Sequence, residues 1–572
     1  MSRAIASDKV VINNSVIPAT VIFSIESGKI LEIIENEILD PNDKILINYA
    51  VSIENYRNVS PLMILPGLVD SHVHLNEPGR TDWEGFATGT QSAASGGVTT
   101  VIDMPLNAIP PTTTLSNFYA KIDAAKGQTW CDVGFWGGLV PDNLDNLIPL
   151  INAGVRGFKG FLMDSGVDEF PMITPDYITQ ALSKVKGYNT MLMFHAEMEP
   201  LSNDAFDKDE SINCCSHNHT THNHSSNTAS QIEELDLGLT RTTTLTNEQI
   251  KSLARSPILS AVEPKVGKIS ELIKSPNLNP SSLDNIIDNE EEIEDIDNLL
   301  SSPLLKAAEE DEILKGVDPK DYTSFLASRP DLFEVTAIES IIACSKLQPT
   351  TPIHIVHLAS EKAIPIIQEA KFTDNLPITV ETCFHYLTFK SEEIPKGATQ
   401  FKCCPPIRTE ENRVQLWQGL KSGIITSVVS DHSPCTPELK GLERGDFFAA
   451  WGGITSVGFG LPLLWTQADF FKITILDIVK WCCENTSKQV GLDYKKGKIA
   501  IGFDADFAIF DPDMKYKINN NRTFFKNKLT AFHDMDIKGK VVETILRGNS
   551  IYALGKGLSD IPMGNLILER RF

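Results

Sequence analysis

Residues 65–75 read LPGLVDSHVHL. A Pro-Gly turn opens a short apolar run that ends in His72-Val73-His74. In an extended strand residues i and i+2 project to the same side, so both imidazoles face one point at the strand's end. Seven more apolar, β-branched runs follow: VTTVIDM (98–104), CDVGFWGG (131–138), VRGFKGF (155–161), MLMFHAE (191–197), IHIVHLAS (353–360), PITVETC (377–383) and ITSVVSDH (425–432). Helix-patterned segments lie between them, among them NFYAKIDAA (117–125), YITQALSKV (177–185), EVTAIESIIACSK (334–346) and NRVQLWQGLKS (412–422). Eight such β/α alternations predict an α/β fold, a parallel (β/α)₈ TIM-like barrel over residues 63–494.

Residues outside this run alternate apolar and polar side chains in short segments, as in KVVINN and VIFSI near the start and ADFAIFDP and GKVVETILRG near the end. Period-2 patterning bounded by turn residues reads as strands. The two ends, 1–62 and 495–572, therefore predict one small β-sandwich domain built from both termini.

The chain has 572 residues, 42% hydrophobic and 22% charged, with a net charge of −24. That composition supports a large core and excludes global disorder. Acidity of this size repels phosphates, so nucleic acid and anionic membranes are not expected as partners. The charge is uneven. Residues 201–322 hold 24 acidic and 10 basic side chains, a net of −14, which leaves −10 for the other 450 residues. This stretch also contains HNHTTHNH (217–224) and DNEEEIEDIDN (288–298) and reads as a low-complexity insertion in the loop after barrel strand 5. His72 to Asp431 spans 359 positions; without the insertion it spans 237, close to the ~250 typical of such a barrel. No apolar run approaches the ~20 residues that cross a bilayer. The start lacks the apolar block of a secretory signal, and the chain ends in ERRF rather than SKL, so a cytoplasmic location is expected. Ten Cys, including the adjacent pairs 214–215, 403–404 and 482–483, are too sparse for a disulfide framework.

Polar residues gather at the ends of the barrel strands. His72 and His74 end the first, Lys159 lies in the fourth, His195 ends the fifth, His357 the sixth and Asp431 the eighth. Four imidazoles and a carboxylate suit a borderline, zinc-like metal. An ammonium ion repels a cation, so Lys159 fits only if its neutral amine adds CO₂ and becomes a carbamate; the other reading is an ion pair with a nearby carboxylate. His354 competes with His357 as the sixth-strand ligand.

These residues sit in motifs that resemble a known family. Residues 65–107, from LPGLVDSHVHL to MPLN, resemble the opening of the cyclic amidohydrolases, a branch of the amidohydrolase superfamily. GFKGFLMDSGVDEFP, FHAE, ASRPDLFEVTAIE, ETCFHYLTF, CCPPIR and VVSDHSPC resemble the allantoinase group within that branch. The resemblance covers about residues 8–200 and 323–560. It implies a hydrolase with two divalent metals, zinc above all, bridged by a carboxylated lysine and a hydroxide. One metal takes His72, His74 and Asp431, the other His195 and His357, and Lys159 as N6-carboxylysine bridges both. It further implies that the bridging hydroxide attacks the ring amide of allantoin to give allantoate, with Asp431 as the catalytic proton shuttle. A homotetramer is implied as well.

Two other branches compete. Dihydroorotases carry an Arg two positions after the second His, where this chain has Asn76, and a bidentate Arg–carboxylate clamp is hard to replace. Dihydropyrimidinases and hydantoinases carry a Tyr five positions after the lysine, where this chain has Asp164 followed by Ser165. A metal-free scaffold of the same fold is the reading from another class, and the presence of all six ligand positions argues against it. Asn107, Ser165, His385, Cys404 and Gly452 are the candidate substrate contacts. His432 and His533 read as structural.

Overall fold

A computed structural model describes residues 1–200 and 316–571. Most of the 201–322 insertion, with its histidine tract and with Cys214 and Cys215, lies outside the described residues.

Eight parallel strands form the body: β1 (Leu68–Val73), β2 (Val98–Asp103), β3 (Asp132–Phe135, continued at Gly137–Gly138), β4 (Phe158–Phe161), β5 (Leu192–His195), β6 (Ile353–Ile355), β7 (Ile378–Cys383) and β8 (Ser427–Val429). Each pairs with the next in parallel. They fall into two arcs that meet at β3, whose first half pairs with β2 and whose Gly137–Gly138 end pairs with β4. The β8–β1 seam carries no continuous ladder. One parallel bridge joins Val73 to His432, and His74 N–H donates to the His432 carbonyl at 2.8 Å.

The strands are almost entirely buried on both faces, which is why they read as continuous apolar runs. Helices cover them. Pro175–Lys184 begins where the Thr174 hydroxyl accepts from Tyr177 N–H with Pro175 in the first turn, and Leu147–Ala153 stops at Gly154, whose φ of 106° suits a residue without Cβ.

The termini form a second unit. Strands Ser2–Ile12, Ser15–Ser24, Ile30–Glu35, Tyr56–Asn58 and Met63–Pro66 from the start join Phe507–Lys517, Asp536–Leu546, Asn549–Ala553 and Gly557–Leu558 from the end in one nine-stranded sheet. Met63–Pro66 is the link, parallel to Lys9–Val10 and antiparallel to Phe507–Phe510. Phe23 and Phe507 lie three strands apart in this sheet, a path of ~14 Å at ~4.8 Å per strand. Their rings nevertheless lie 5.7 Å apart, so the sheet curls over and packs its inner faces together, with Ile5, Val10, Val21, Ile64 and Ile509 in the same core. The two layers of the sandwich are thus one continuous sheet. The chain enters the barrel at Gly67, where a Cβ would meet Thr99 at 2.3 Å.

A buried ion cluster fastens the two units. Lys496 Nζ reaches Asp132 at the start of β3 and Asp506 at 2.7 Å each, and Asp504 at 3.0 Å. Arg547 donates to both oxygens of Asp132. Removing one partner of a buried ion cluster leaves uncompensated charge, at a cost of roughly 3–5 kcal/mol. Lys496→Met is therefore expected to lower the stability to urea by about that amount, while Lys517→Met, at an exposed pair with Asp536, leaves the midpoint nearly unchanged. Equal midpoints for the two variants would refute the anchoring role.

Candidate metal centre

Six side chains from five strand ends converge at the mouth of the eight-stranded body. His72, His74, Lys159, His195, His357 and Asp431 are all buried, none more than 7% exposed. Asp431 Oδ1 lies 3.1 Å from His72 Nε2 and 3.6 Å from His74 Nε2. Lys159 Nζ lies 3.1 Å from His72 Nε2. His195 Nδ1 and His357 Nε2 are 3.0 Å apart, and His357 Nδ1 has no partner among the described residues. Phe161 stacks on His195 at 4.6 Å, which keeps that ring upright.

The backbone aims several of these groups. His357 and Asp431 follow their strands with φ of 39° and 43°, and Asn76 and Asn107 near the mouth have φ of 62° and 66°. Non-glycine residues in the left-handed region carry strain, and it concentrates where side chains must be re-aimed.

Outer partners fix the tautomers. Glu381 accepts from His72 Nδ1, so the Nε2 lone pair faces the centre. Glu197 accepts from His195 Nε2 at 2.7 Å, which leaves Nδ1 facing inward. Glu381 is held in turn by His354 Nε2 at 3.0 Å and Gln489 Nε2 at 3.3 Å, and Glu197 by Arg329 at 2.6 and 3.0 Å. His354 therefore stands behind Glu381, hydrogen-bonded to Thr379, and His357 is the sixth-strand imidazole at the centre. His432 also turns away, toward Glu84 and the Ser456 and Val457 amides.

The electrostatics fit a bound cation. Burial pushes the His74 imidazolium down to about 3 and also lowers His195 and His357, so these rings are neutral at pH 7. Burial opposes ionisation of Asp431, but His72 and His74 prevail and hold its carboxyl well below the usual range. At His72, burial and Lys159 act against protonation; Asp431 and Glu381 outweigh them and raise its pKa. The centre thus draws positive charge at the inward nitrogen of His72. His72, His74 and Asp431 offer donor atoms all within 4.8 Å of one another, as a metal set requires. Burial lowers the Lys159 ammonium to about 8, close to neutrality under ordinary conditions.

A cavity opens onto the centre, lined on its far side by Asn107, Ser165, Arg329, Cys404, Trp451 and Gly452. Asn107 Nδ2 is 3.4 Å from His74 Nδ1 and its Oδ1 has no partner. Ser165 Oγ donates to Phe170 O at 2.6 Å. His385 is not on the cavity wall. It is fully buried, with a ring nitrogen within 4.8 Å of donor atoms of both Cys383 and Asp431. Arg80 is engaged by Glu169 and the Asn107 carbonyl.

Four functional neighbours escaped the sequence reading: Glu197, Arg329, Glu381 and Gln489. Three of them stand inside motifs already quoted, FHAE, ASRP and ETCFHY, and a buried acid within an apolar run was the signal available for two. Gln489 lies far along the chain and carried no signal.

Comparison with known proteins agrees with this arrangement. The family model described as "Amidohydrolase family" matches residues 63–295 and 349–551. The chain is 47% identical to the allantoinase of Saccharomyces cerevisiae over 100% of this chain and 99% of that one. It is 36% identical to the allantoinase of Streptomyces avermitilis over 88% and 87% of the two chains, and 33% identical to that of Arabidopsis thaliana over 87% and 79%. Among solved structures, an L-hydantoinase (dihydropyrimidinase) from Arthrobacter aurescens superposes with a TM-score of 0.72 at 22% identity, covering 100% of both chains. The dihydropyrimidinase of Brevibacillus agri gives 0.71 at 21%, covering 100% of this chain and 99% of that one. Strand order, inward-facing ligand atoms and these likenesses agree: the chain belongs to the amidohydrolase family, in its allantoinase branch.

Proposed function

We propose that this chain hydrolyses the cyclic amide C–N bond of allantoin's hydantoin ring and releases allantoate. The observation that carries the reading is the convergence of His72, His74, Lys159, His195, His357 and Asp431, in a chain 47% identical to an allantoinase over its full length. Asn76 stands where dihydroorotases place their carboxylate-binding Arg, and its amide donates to Pro434 O at 3.3 Å. Asp164 and Ser165 occupy the place of the dihydropyrimidinase Tyr. Both departures favour a ureide over a dihydropyrimidine or a dihydroorotate.

Two divalent metals, zinc by the mixed nitrogen and oxygen donor set, fit the centre. His72, His74 and Asp431 would hold one and His195 and His357 the other, with Lys159, as its carbamate, available to both. When bound, such a pair acidifies a water and polarises the amide carbonyl. Asp431, ionised and set between the two first-strand imidazoles, receives the proton from the attacking water and hands it to the departing ring nitrogen. Asn107, Ser165, Cys404 and Gly452 orient the ring from the cavity wall. The barrel, 63–494, is the catalytic unit, and the composite sheet domain, 1–62 with 495–572, braces it. The same resemblance carries the expectation of a homotetramer. Among the described residues no helix is long and apolar enough to cross a membrane.

Four measurements test this. A panel of allantoin, dihydrouracil, hydantoin and dihydroorotate is expected to show turnover of allantoin; turnover of dihydrouracil with none of allantoin overturns the substrate. Metal analysis is expected to find about two divalent ions per chain, and none would support a scaffold. Asp431→Asn is expected to lower kcat by roughly 10²–10⁴-fold, with most of the metal retained. A variant with full activity refutes the proton role. Carbamate formation needs the neutral amine, which predominates above pH 8 and is scarce well below it. Recovery of activity in metal-free protein given zinc and bicarbonate is therefore expected to be faster at pH 8.5 than at pH 6.5, at fixed dissolved CO₂. Equal rates would leave Lys159 uncarboxylated.

A further inference from the structure

Beside Asp431 lies a group that the proposed reaction does not use. Cys383 ends β7, and His385 follows two positions later in the first turn of helix Phe384–Thr388. Asp431 comes from the neighbouring strand end, where Cys383 pairs with Val429 in register. One donor atom from each of Cys383, His385 and Asp431 lies within 4.8 Å of the others, and all three residues are buried.

A second observation is independent of that spacing. His385 has zero exposure, and neither ring nitrogen has a hydrogen-bond partner among the described residues. A buried polar atom without a partner is destabilising, and this ring carries two. The adjacent ring is Tyr386, packed edge-on at 4.2 Å, and the Tyr386 hydroxyl donates elsewhere, to Pro405 O, while the Asp431 carboxylate lies near without hydrogen-bonding the ring. The Cys383 thiol likewise makes no hydrogen bond to a described residue. A thiol, an imidazole and a shared carboxylate form a three-donor set with the soft character that zinc, cadmium or cobalt(II) prefers over magnesium or calcium.

We propose that Cys383, His385 and Asp431 form a third, inhibitory site for a thiophilic divalent cation. Binding converts the Cys383 thiol to a thiolate–metal bond and releases its proton to solvent; His385 donates a ring lone pair, and Asp431 a carboxylate oxygen. No electron changes hands. Because Asp431 is the one residue shared with the proposed catalytic pair, a cation bound there neutralises the carboxylate that must accept the proton. Excess metal then slows turnover without displacing the first two ions. The inhibitory consequence rests on the function proposed above; the site itself does not.

The test is titration of full-length protein with cobalt(II), read by metal content after gel filtration and by thiolate-to-cobalt absorption in the near ultraviolet. Wild-type protein is expected to take up one more ion than Cys383→Ala and Cys383→Ser, to develop the charge-transfer band with that ion, and to lose activity as it binds. Both variants are expected to keep basal turnover, to lack the band, and to be insensitive to the excess. Cys404→Ala is expected to retain the band, which separates this thiol from the one on the cavity wall. The same metal content and band in wild type and in a folded Cys383 variant overturn the site. If allantoin is not turned over, the difference in cobalt uptake between wild type and variant still decides it, so its failure is distinct from failure of the proposed function.

Discussion

Lone pairs aimed at a common point repel one another, and that constraint organises the mouth of this barrel. His195 and His357 place ring nitrogens 3.0 Å apart, and His72 Nε2 meets both Asp431 and Lys159 at 3.1 Å. Packing alone gives no reason for such an arrangement. It persists because two of the three rings are held from outside by a buried carboxylate, Glu381 on His72 and Glu197 on His195. A buried carboxylate is itself costly unless fully paired. Here the cost is offset by His354 and Gln489 around Glu381 and by the Arg329 fork on Glu197. Two rings of partners thus face opposite ways: the outer is satisfied by protein, and the inner is left for a cation.

The same constraint explains where the strand ladder is weakest. The β8–β1 seam retains one bridge, and this is where His72, His74 and Asp431 meet. Side chains replace part of the missing ladder. Asp70 accepts from Ser430 N–H at 3.2 Å, and Ser430 Oγ donates to the His72 carbonyl at 3.2 Å. At the start of β3 the Lys496 cluster fixes the opposite problem, how a domain assembled from distant termini stays attached. One unit is held by directional hydrogen bonds around a charged centre, the other by a buried cation among three carboxylates.

Much of this was legible in the chain because period and position carry it. Eight apolar runs became eight parallel strands, since strands buried on both faces need continuous apolar sequence. The i, i+2 spacing of His72 and His74 put both imidazoles on one side. The choice between His354 and His357 was not legible. Each is an imidazole in the same run, and which face of β6 looks into the mouth depends on neighbours that the run does not contain. His385 shows the same limit in another form. Its place at a strand end suggested the cavity, whereas the turn into helix Phe384–Thr388 buries it near Cys383 and Asp431.

By itself, then, the sequence determined the element types, the barrel count, the two-ended sheet domain and the set of residues able to bind metal, because these follow from local periodicity and side-chain chemistry. Tertiary structure alone decided the tautomers, the outer carboxylates and the curl that brings Phe23 against Phe507. It also decided the company of Cys383 and His385. Each of these is a contact between segments tens to hundreds of residues apart, fixed by the closure of the chain on itself and not by any pattern along it.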